Sequence, residues 1–311
     1  MTAERAFVDE RVADVRRAAS VADLAAETWG LGRPVLIRHG MNVIFASRTA
    51  SATTSRGGRD DVVIRVSSPS VHASCSIELA ASLAAHGVPV VAPSRLDVVE
   101  VDGLSATAWE YVAPSGDPID WRAVGAIVRR VHEIPPGDLP VGVPTPSPAA
   151  FPWWDFERLL DDVAPVLDDA ALAGITAAVE RRAGWDAWNP SDAVVCHGDV
   201  HPGNVIMTHD GPVLIDWDLL CIAPPGWDHA PLMTWTDRWG GEPGVYEAFG
   251  AGAGGSLRGD ERTEAFAELR LVAATLMRVK AAMADPSARL ESERRLTYWR
   301  GDPEAPAWSA Q

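Results

Sequence analysis

Cysteine is scarce in this sequence: Cys75, Cys196 and Cys221 are the only three among 311 residues. Their number is odd and their spacing irregular, which excludes a disulfide framework and the paired spacings of a structural zinc site. A reducing compartment, the cytoplasm, is the expected setting. Basic residues are also in deficit, 27 Lys and Arg against 43 acids, for a formal charge of −16. Such a surface repels nucleic acid and anionic membranes, so neither is expected as a partner. Long apolar runs are missing, and Glu4, Arg5, Asp9, Glu10 and Arg11 interrupt the start of the chain. Neither a membrane span nor a signal peptide is expected from that pattern. No internal repeat is present, which excludes a repeat architecture. Oligomeric state is left open.

What is present is the composition of a globular protein, 47% hydrophobic and 23% charged. The length suits two domains or one large bilobed one. The 13 tryptophans are enough both to pack between helices and to line a pocket.

The patterning divides the chain into a β-rich and a helical part. Residues 4–27 carry Ala and charged residues at helical spacing. Residues 34–38, 42–46 and 62–66 read as strands, the second and third joined through the polar, Gly-containing stretch 49–60. A helix is predicted over 74–86, with Ile77, Ala80, Ala81 and Ala84 on one face, stopped by His86-Gly87 ahead of Pro89. Residues 88–91, 98–101 and 107–112 fit further strands. After Pro114 the pattern turns helical. Asp120 can cap a helix to His132 whose stripe is Val124, Ile127, Val128 and Val131. The proline-rich 134–152 reads as loop. Helices are expected over 154–169 and 170–183, from residue 226 onward with a Gly-rich break at 250–259, and over 261–284. The fold class expected is α+β and bilobed. An N-terminal antiparallel-sheet lobe (1–112, with its helix) would precede a larger, mainly helical lobe (113–311).

The densest chemistry lies in Cys196-His197-Gly198-Asp199-Val200-His201-Pro202-Gly203-Asn204, followed by Ile215-Asp216-Trp217-Asp218. Each piece sits between short β-branched runs. An aspartate five residues before an asparagine, then an acidic strand end a dozen residues on, is the spacing of a kinase catalytic loop and its metal-binding strand. Phosphoryl transfer needs a carboxylate near the attacking hydroxyl and oxygen ligands for Mg²⁺ on the nucleotide phosphates. Asp199 fits the first role, and Asn204 and Asp216 the second.

These residues resemble the aminoglycoside phosphotransferase and choline kinase-like family, over about residues 30 to 235. The resemblance implies a bilobed protein-kinase-like fold and transfer of the γ-phosphate of ATP, with GTP not excluded, to a hydroxyl of a small polar molecule. Asp199 would then be the base, and Asn204 and Asp216 metal ligands. Asp218 would either reach a metal or hold its loop. His197 would brace the loop, His201 shape the His-Pro-Gly turn, and Asp228 anchor the loop from the next helix. Arg65 stands where protein kinases carry lysine; it would contact the α/β-phosphates as a permanent cation with Glu78 as its ion-pair partner. Gly40 and Asn42 match a reduced phosphate-covering loop, and Glu110 to Val112 match the hinge that hydrogen-bonds adenine through its backbone. Trp153, Trp154, Asp155, Trp235, Asp237, Glu264 and Glu268 are the expected acceptor-pocket walls, by topology alone.

The acceptor class stays open. An aminoglycoside or other aminated compound suits the acidic excess, and a sugar or amino-alcohol metabolite suits the tryptophans. A non-catalytic nucleotide- or ligand-binding protein of the same fold is hard to reconcile with an intact set of Asp199, Asn204 and Asp216. A metallophosphoesterase would need an Asp-x-His and a Gly-Asn-His-acid run. His72 is preceded by Ser70-Val71 and Asn204 is followed by Val205, so that class is not supported.

Overall fold

The computed structural model describes residues 11–48, 61–68 and 73–309. The polar connection at 49–60 and residues 4–10 of the expected N-terminal helix fall outside them. Helix α1 is Val15–Thr28, begun by Asp14, whose side chain accepts from the backbone N–H groups of Arg16 and Arg17. The helix therefore starts later than its composition suggests, because the cap fixes its first turn.

A five-stranded antiparallel sheet follows, built from β1 (Val35–His39), β2 (Val43–Arg48), β3 (Asp61–Ser67), β4 (Val99–Val101) and β5 (Leu104–Glu110). The strand order is β1-β2-β3-β5-β4. Its two faces separate by the two-residue period of a strand. Val43, Phe45, Val62, Ile64 and Val66 point to one face and form a core with Ala18, Val21, Ala22 and Ala25 of α1. Ile44, Val63, Arg65 and Trp109 point to the other. Register places Ile44 opposite Arg65 and Val63 opposite Trp109. That second face roofs a cavity.

Helix α2 (Ala73–Ala85) lies between β3 and β4 in sequence, and its buried residues include Ile77, Leu79, Ala80 and Leu83. The stripe thus runs through the two leucines; Ala81 and Ala84, expected to be inside, are exposed, and so is Glu78. No strand forms over 88–91. Val90 makes a single parallel bridge to Leu214, and Pro89 on one side and Pro93 on the other supply no N–H for a longer ladder.

Beyond β5 the chain is mainly helical, with α3 (Trp121–His132), α4 (Phe156–Val163), α5 (Asp169–Arg181), α6 (Gly226–Met233), α7 (Trp235–Trp239), α8 (Val245–Ala253), α9 (Glu261–Ala284) and α10 (Arg289–Trp299). Asp120 caps α3, and the expected stripe Val124, Ile127, Val128 and Val131 is buried. The single helix expected over 154–169 is instead a short turn and α4, because Asp155 caps α4 at its start and Pro165 lies just past its end. Gly250 and Gly252, expected in a loop, belong to α8. Gly252 lets α8 touch α3 backbone to backbone: a Cβ on it would lie 1.9 Å from the Arg122 carbonyl oxygen. Two small ribbons cross this part. β6 (Val194–Cys196) pairs with β9 (Cys221–Ala223), and β7 (Val205–Thr208) with β8 (Gly211–Leu214). They carry the motif residues around Asp216 to the floor of the cavity.

Candidate active site

The loop after β6 is held from below. Asp228, fully buried on α6, accepts the His197 N–H at 2.9 Å and the Gly198 N–H at 2.8 Å. His132 of α3 supplies a third bond at 3.0 Å. Burial alone would raise the Asp228 carboxyl; the His132 bond and the charges of His132 and His197 outweigh it and hold the group ionised. His197 is also buried. Its Nδ1 accepts the Asp199 N–H at 3.2 Å, so its Nε2 carries the proton and donates to the Ile215 carbonyl at 3.1 Å. Burial pushes this imidazole below its ordinary value and keeps it neutral. Between the two, Gly198 has φ +92°, and a Cβ there would sit 1.9 Å from the Leu219 carbonyl oxygen. Only glycine fits that turn.

These supports present Asp199, a third exposed, within electrostatic reach of Asp216 at the cavity's polar end. Burial would raise its carboxyl, yet the His201 bond, then the charges of His201, Arg270 and His197, bring it down to about 2. His201 does two things: its Nδ1 accepts the Gly203 N–H at 3.1 Å, shaping the turn, and its Nε2 lies 3.4 Å from Asp199. Asn204 donates to the Asp199 carbonyl at 2.9 Å and to its carboxylate at 3.1 Å, while its own carbonyl accepts the Ile215 N–H at 3.0 Å. One asparagine therefore ties the loop to the strand end that carries Asp216.

Asp216 has φ +64°, a left-handed conformation uncommon outside glycine. Such strain concentrates where a side chain must be aimed. Its carboxyl is pushed up to about 7, first by burial and then by the negative charge of Asp218, with Asp199 adding and Arg65 opposing. Asp216 thus feels the charges of Asp218 and Asp199, and Asn204 stands beside Asp199. That hard-oxygen set fits Mg²⁺. Asn204 and Asp216 are the residues that would hold it.

The opposing face supplies Arg65. Its guanidinium is paired with the Asp218 carboxylate, and Asn42 donates to the same carboxylate at 3.0 Å. The expected Arg65–Glu78 pair does not form: the buried stripe of α2 turns Glu78 outward, where it is exposed. Gly40 makes the tight β1–β2 turn, its N–H bonded to the Asn42 carbonyl at 2.9 Å. Glu110 and Val112 line the cavity, but the Glu110 N–H is already bonded to the Ala92 carbonyl at 2.9 Å. The cavity holds about 450 Å³ between sheet and floor, with Ile44, Val63, Trp109 and Leu214 around its apolar part and Arg65, Asp216 and Asp218 at its polar end.

Most of the expected acceptor walls serve other purposes. Trp154 is buried against Trp227 at 4.5 Å between ring centres, and Trp153 stacks on Phe151 at 5.1 Å. Asp155 caps α4, accepting the Arg158 N–H. Glu268 is bound by Arg181 at 2.5 Å and Arg182 at 2.6 Å. Glu264 accepts the Gly259 N–H at 3.1 Å. Trp235 stacks with Trp239 at 6.1 Å, and Asp237 is exposed on the same short helix. These acids do not gather around Asp199.

Sequence reasoning missed Arg270. From α9 it reaches Asp199 at 3.8 Å, donates to the Gly198 carbonyl at 2.6 Å, and lies 4.5 Å over the Trp227 ring. No local motif marks an arginine on a long helix, so only packing reveals it. His132 was missed for the same reason. Trp217 and Trp109, which line the cavity, were legible only as neighbours of the motif.

Residues 45–271 match the model of the phosphotransferase enzyme family. No curated protein matches the chain. Among solved structures, an amicoumacin kinase in complex with AMP-PNP, Ca²⁺ and Ami is similar at 11% identity, covering 95% of this chain and 98% of its own, with a TM-score of 0.65. The GDP and kanamycin complex of APH(2")-IIia is similar at 16% identity, covering 88% and 94%, with a TM-score of 0.64. A choline/ethanolamine kinase family protein from Mesorhizobium loti is similar at 18% identity, covering 94% and 95%, with a TM-score of 0.57. At these identities the likeness is one of fold, an antiparallel N-terminal sheet above a helical C-terminal part.

Proposed function

Since the chain belongs to the phosphotransferase enzyme family, we propose that it moves the γ-phosphate of ATP to a hydroxyl of a small polar molecule. The observation that carries this reading is the convergence of Asp199, Asn204 and Asp216 beneath a cavity roofed by Arg65. The acceptor oxygen bonds to the γ-phosphorus as the bond to the β–γ bridging oxygen breaks, leaving nucleoside diphosphate. The hydroxyl proton passes to Asp199, whose main task is orientation, because the transition state is loose. Arg65 contacts the phosphates, and the apolar cavity around Trp109 and Leu214 takes the base. Asn204 and Asp216 would hold Mg²⁺, which spreads the phosphates' negative charge when bound. GTP could serve in place of ATP, since nothing in the apolar lining selects one base.

A second feature bears on the acceptor. Arg270 is the charged side chain that α9 brings to Asp199, and Asp155, Glu264 and Glu268 are engaged elsewhere. This favours a sugar-like or other uncharged hydroxylated acceptor over a polycationic aminoglycoside. A nucleotide-consumption screen over neutral, aminated and anionic hydroxylated compounds, with and without Mg²⁺, tests the proposal. Mg²⁺-dependent consumption with at least one compound is expected. Consumption by none, from a protein that binds Mg-nucleotide, would move the reading to a binding protein of this fold.

A further inference from the structure

We propose that Asp218, steadied by Asn42, makes this site selective for metal-bound over metal-free nucleotide by exchanging partners with Arg65. The inference rests on the phosphotransferase reading and adds to it a specificity-determining residue. Among the described residues, Asp218 is the one acid within ion-pair distance of Arg65. The pair spans the cavity, Arg65 coming from β3 of the sheet and Asp218 from the strand end below. Both side chains are largely enclosed, at 17% and 11% exposure. Asn42, from the β1–β2 turn, donates to Asp218 at 3.0 Å and leaves its own buried Oδ1 without a partner among the described residues.

The consequence is electrostatic. Without nucleotide, the cation meant for the phosphates is occupied by a carboxylate, and the Asp216 carboxylate stands close by. A metal-free polyphosphate must displace Asp218 from Arg65 and then lie against Asp216 and Asp218, both unfavourable in an enclosed site. A nucleotide that brings a divalent cation offers each partner a replacement: phosphate for Arg65, and positive charge for the released carboxylate. The usual device, an acid on α2 that holds the cation without competing for it, is absent because Glu78 faces outward.

The test is calorimetric binding of ADP and ATP in excess EDTA and in excess Mg²⁺, with thermal melts to verify folding. Asp218→Asn keeps the shape and removes the charge. It is expected to bind metal-free nucleotide about tenfold tighter than wild type, and to narrow the gap between EDTA and Mg²⁺ affinities. Asn42→Ala should shift metal-free binding the same way by less. In an Arg65→Gln background the tightening caused by Asp218→Asn should shrink to a small remainder. Unchanged or weaker metal-free binding by Asp218→Asn, with only the Mg²⁺ value altered, would overturn the exchange and leave Asp218 a plain metal ligand. If wild type bound Mg-nucleotide normally, the phosphotransferase reading would survive that result. If wild type bound no nucleotide in either condition, both would fall.

Discussion

Asp199 and Asp216 are carboxylates in one site whose environments drive them apart, one down to about 2 and the other up to about 7. Asp199 is therefore ionised at any pH where the protein works, and its role is read best by removal. Asp199→Asn should lower turnover by about 10²-fold or more while Mg-nucleotide affinity stays within about twofold; calorimetry beside a nucleotide-consumption assay measures both, and near-wild-type turnover would refute the assignment. Asp216 makes the opposite prediction. Its folded value exceeds its ordinary one, so between the two the folded state holds a proton that the unfolded state has released. Its contribution to stability thus falls as pH rises toward about 7 and is at its worst above that. In EDTA, Asp216→Asn should melt higher than wild type at pH 8 by about 3 °C or more, and the gain should shrink toward pH 5. Equal melting at both would mean that no charge crowding exists there. The same variant should lose Mg²⁺-dependent nucleotide binding.

At the scale of elements, two contacts position the site without touching a substrate. The first is the Asp228 carboxylate on α6, which receives the backbone of the loop that carries Asp199. Asp228→Asn turns one acceptor into a donor facing a donor. An unsatisfied buried N–H costs about 1–3 kcal/mol, so the variant should be less stable, and kcat should fall more than nucleotide affinity does. A drop in stability with full kcat in the folded fraction would separate bracing from catalysis. The second is the α3–α8 crossing. Gly252→Ala places a methyl group 1.9 Å from the Arg122 carbonyl oxygen, and backbone cannot yield as a side chain can. Destabilisation of about 1–3 kcal/mol is expected from denaturant titration. Because α3 carries His132, activity should fall with it.

For the whole molecule, charge is the informative quantity. A net −16 would be expected to attract a cationic acceptor, yet of the acids expected at the pocket Glu268 is bound by Arg181 and Arg182, Asp155 caps α4 and Glu264 holds the Gly259 N–H. Diffuse surface charge is screened within about 8–10 Å at ordinary salt, whereas a carboxylate cage would hold a polycation with a steep salt dependence. With Arg270 beside Asp199, acceptor KM should change less than about threefold from low to physiological ionic strength. A steep rise in KM with salt would restore the cationic acceptor. No helix among the described residues is long and apolar enough to cross a membrane.

Some of this was written in the linear chain. Asp120 and the stripe Val124, Ile127, Val128, Val131 determine α3 locally, since capping and a 3.6-residue period need no partner. The alternation in β2 and β3 puts Arg65 and Ile64 on opposite faces whatever lies beyond. The run from His197 to Asn204 determines its own turn, because Gly198 and Pro202 restrict the backbone and Asp199 and Asn204 are near neighbours in sequence. Other features depended on chains of contact that spacing does not encode. Arg65 and Asp218 are 153 residues apart, and their pairing required the sheet to close over the strand end. Glu78 was turned away by leucines packing below it, not by anything in its own neighbourhood. Cys196 and Cys221, scattered in the sequence, face each other because β6 and β9 pair in that register. Arg270 meets Asp199 only because α9 packs against α6. Local propensity acts within a few residues, whereas burial and charge pairing act between whichever surfaces the fold brings together.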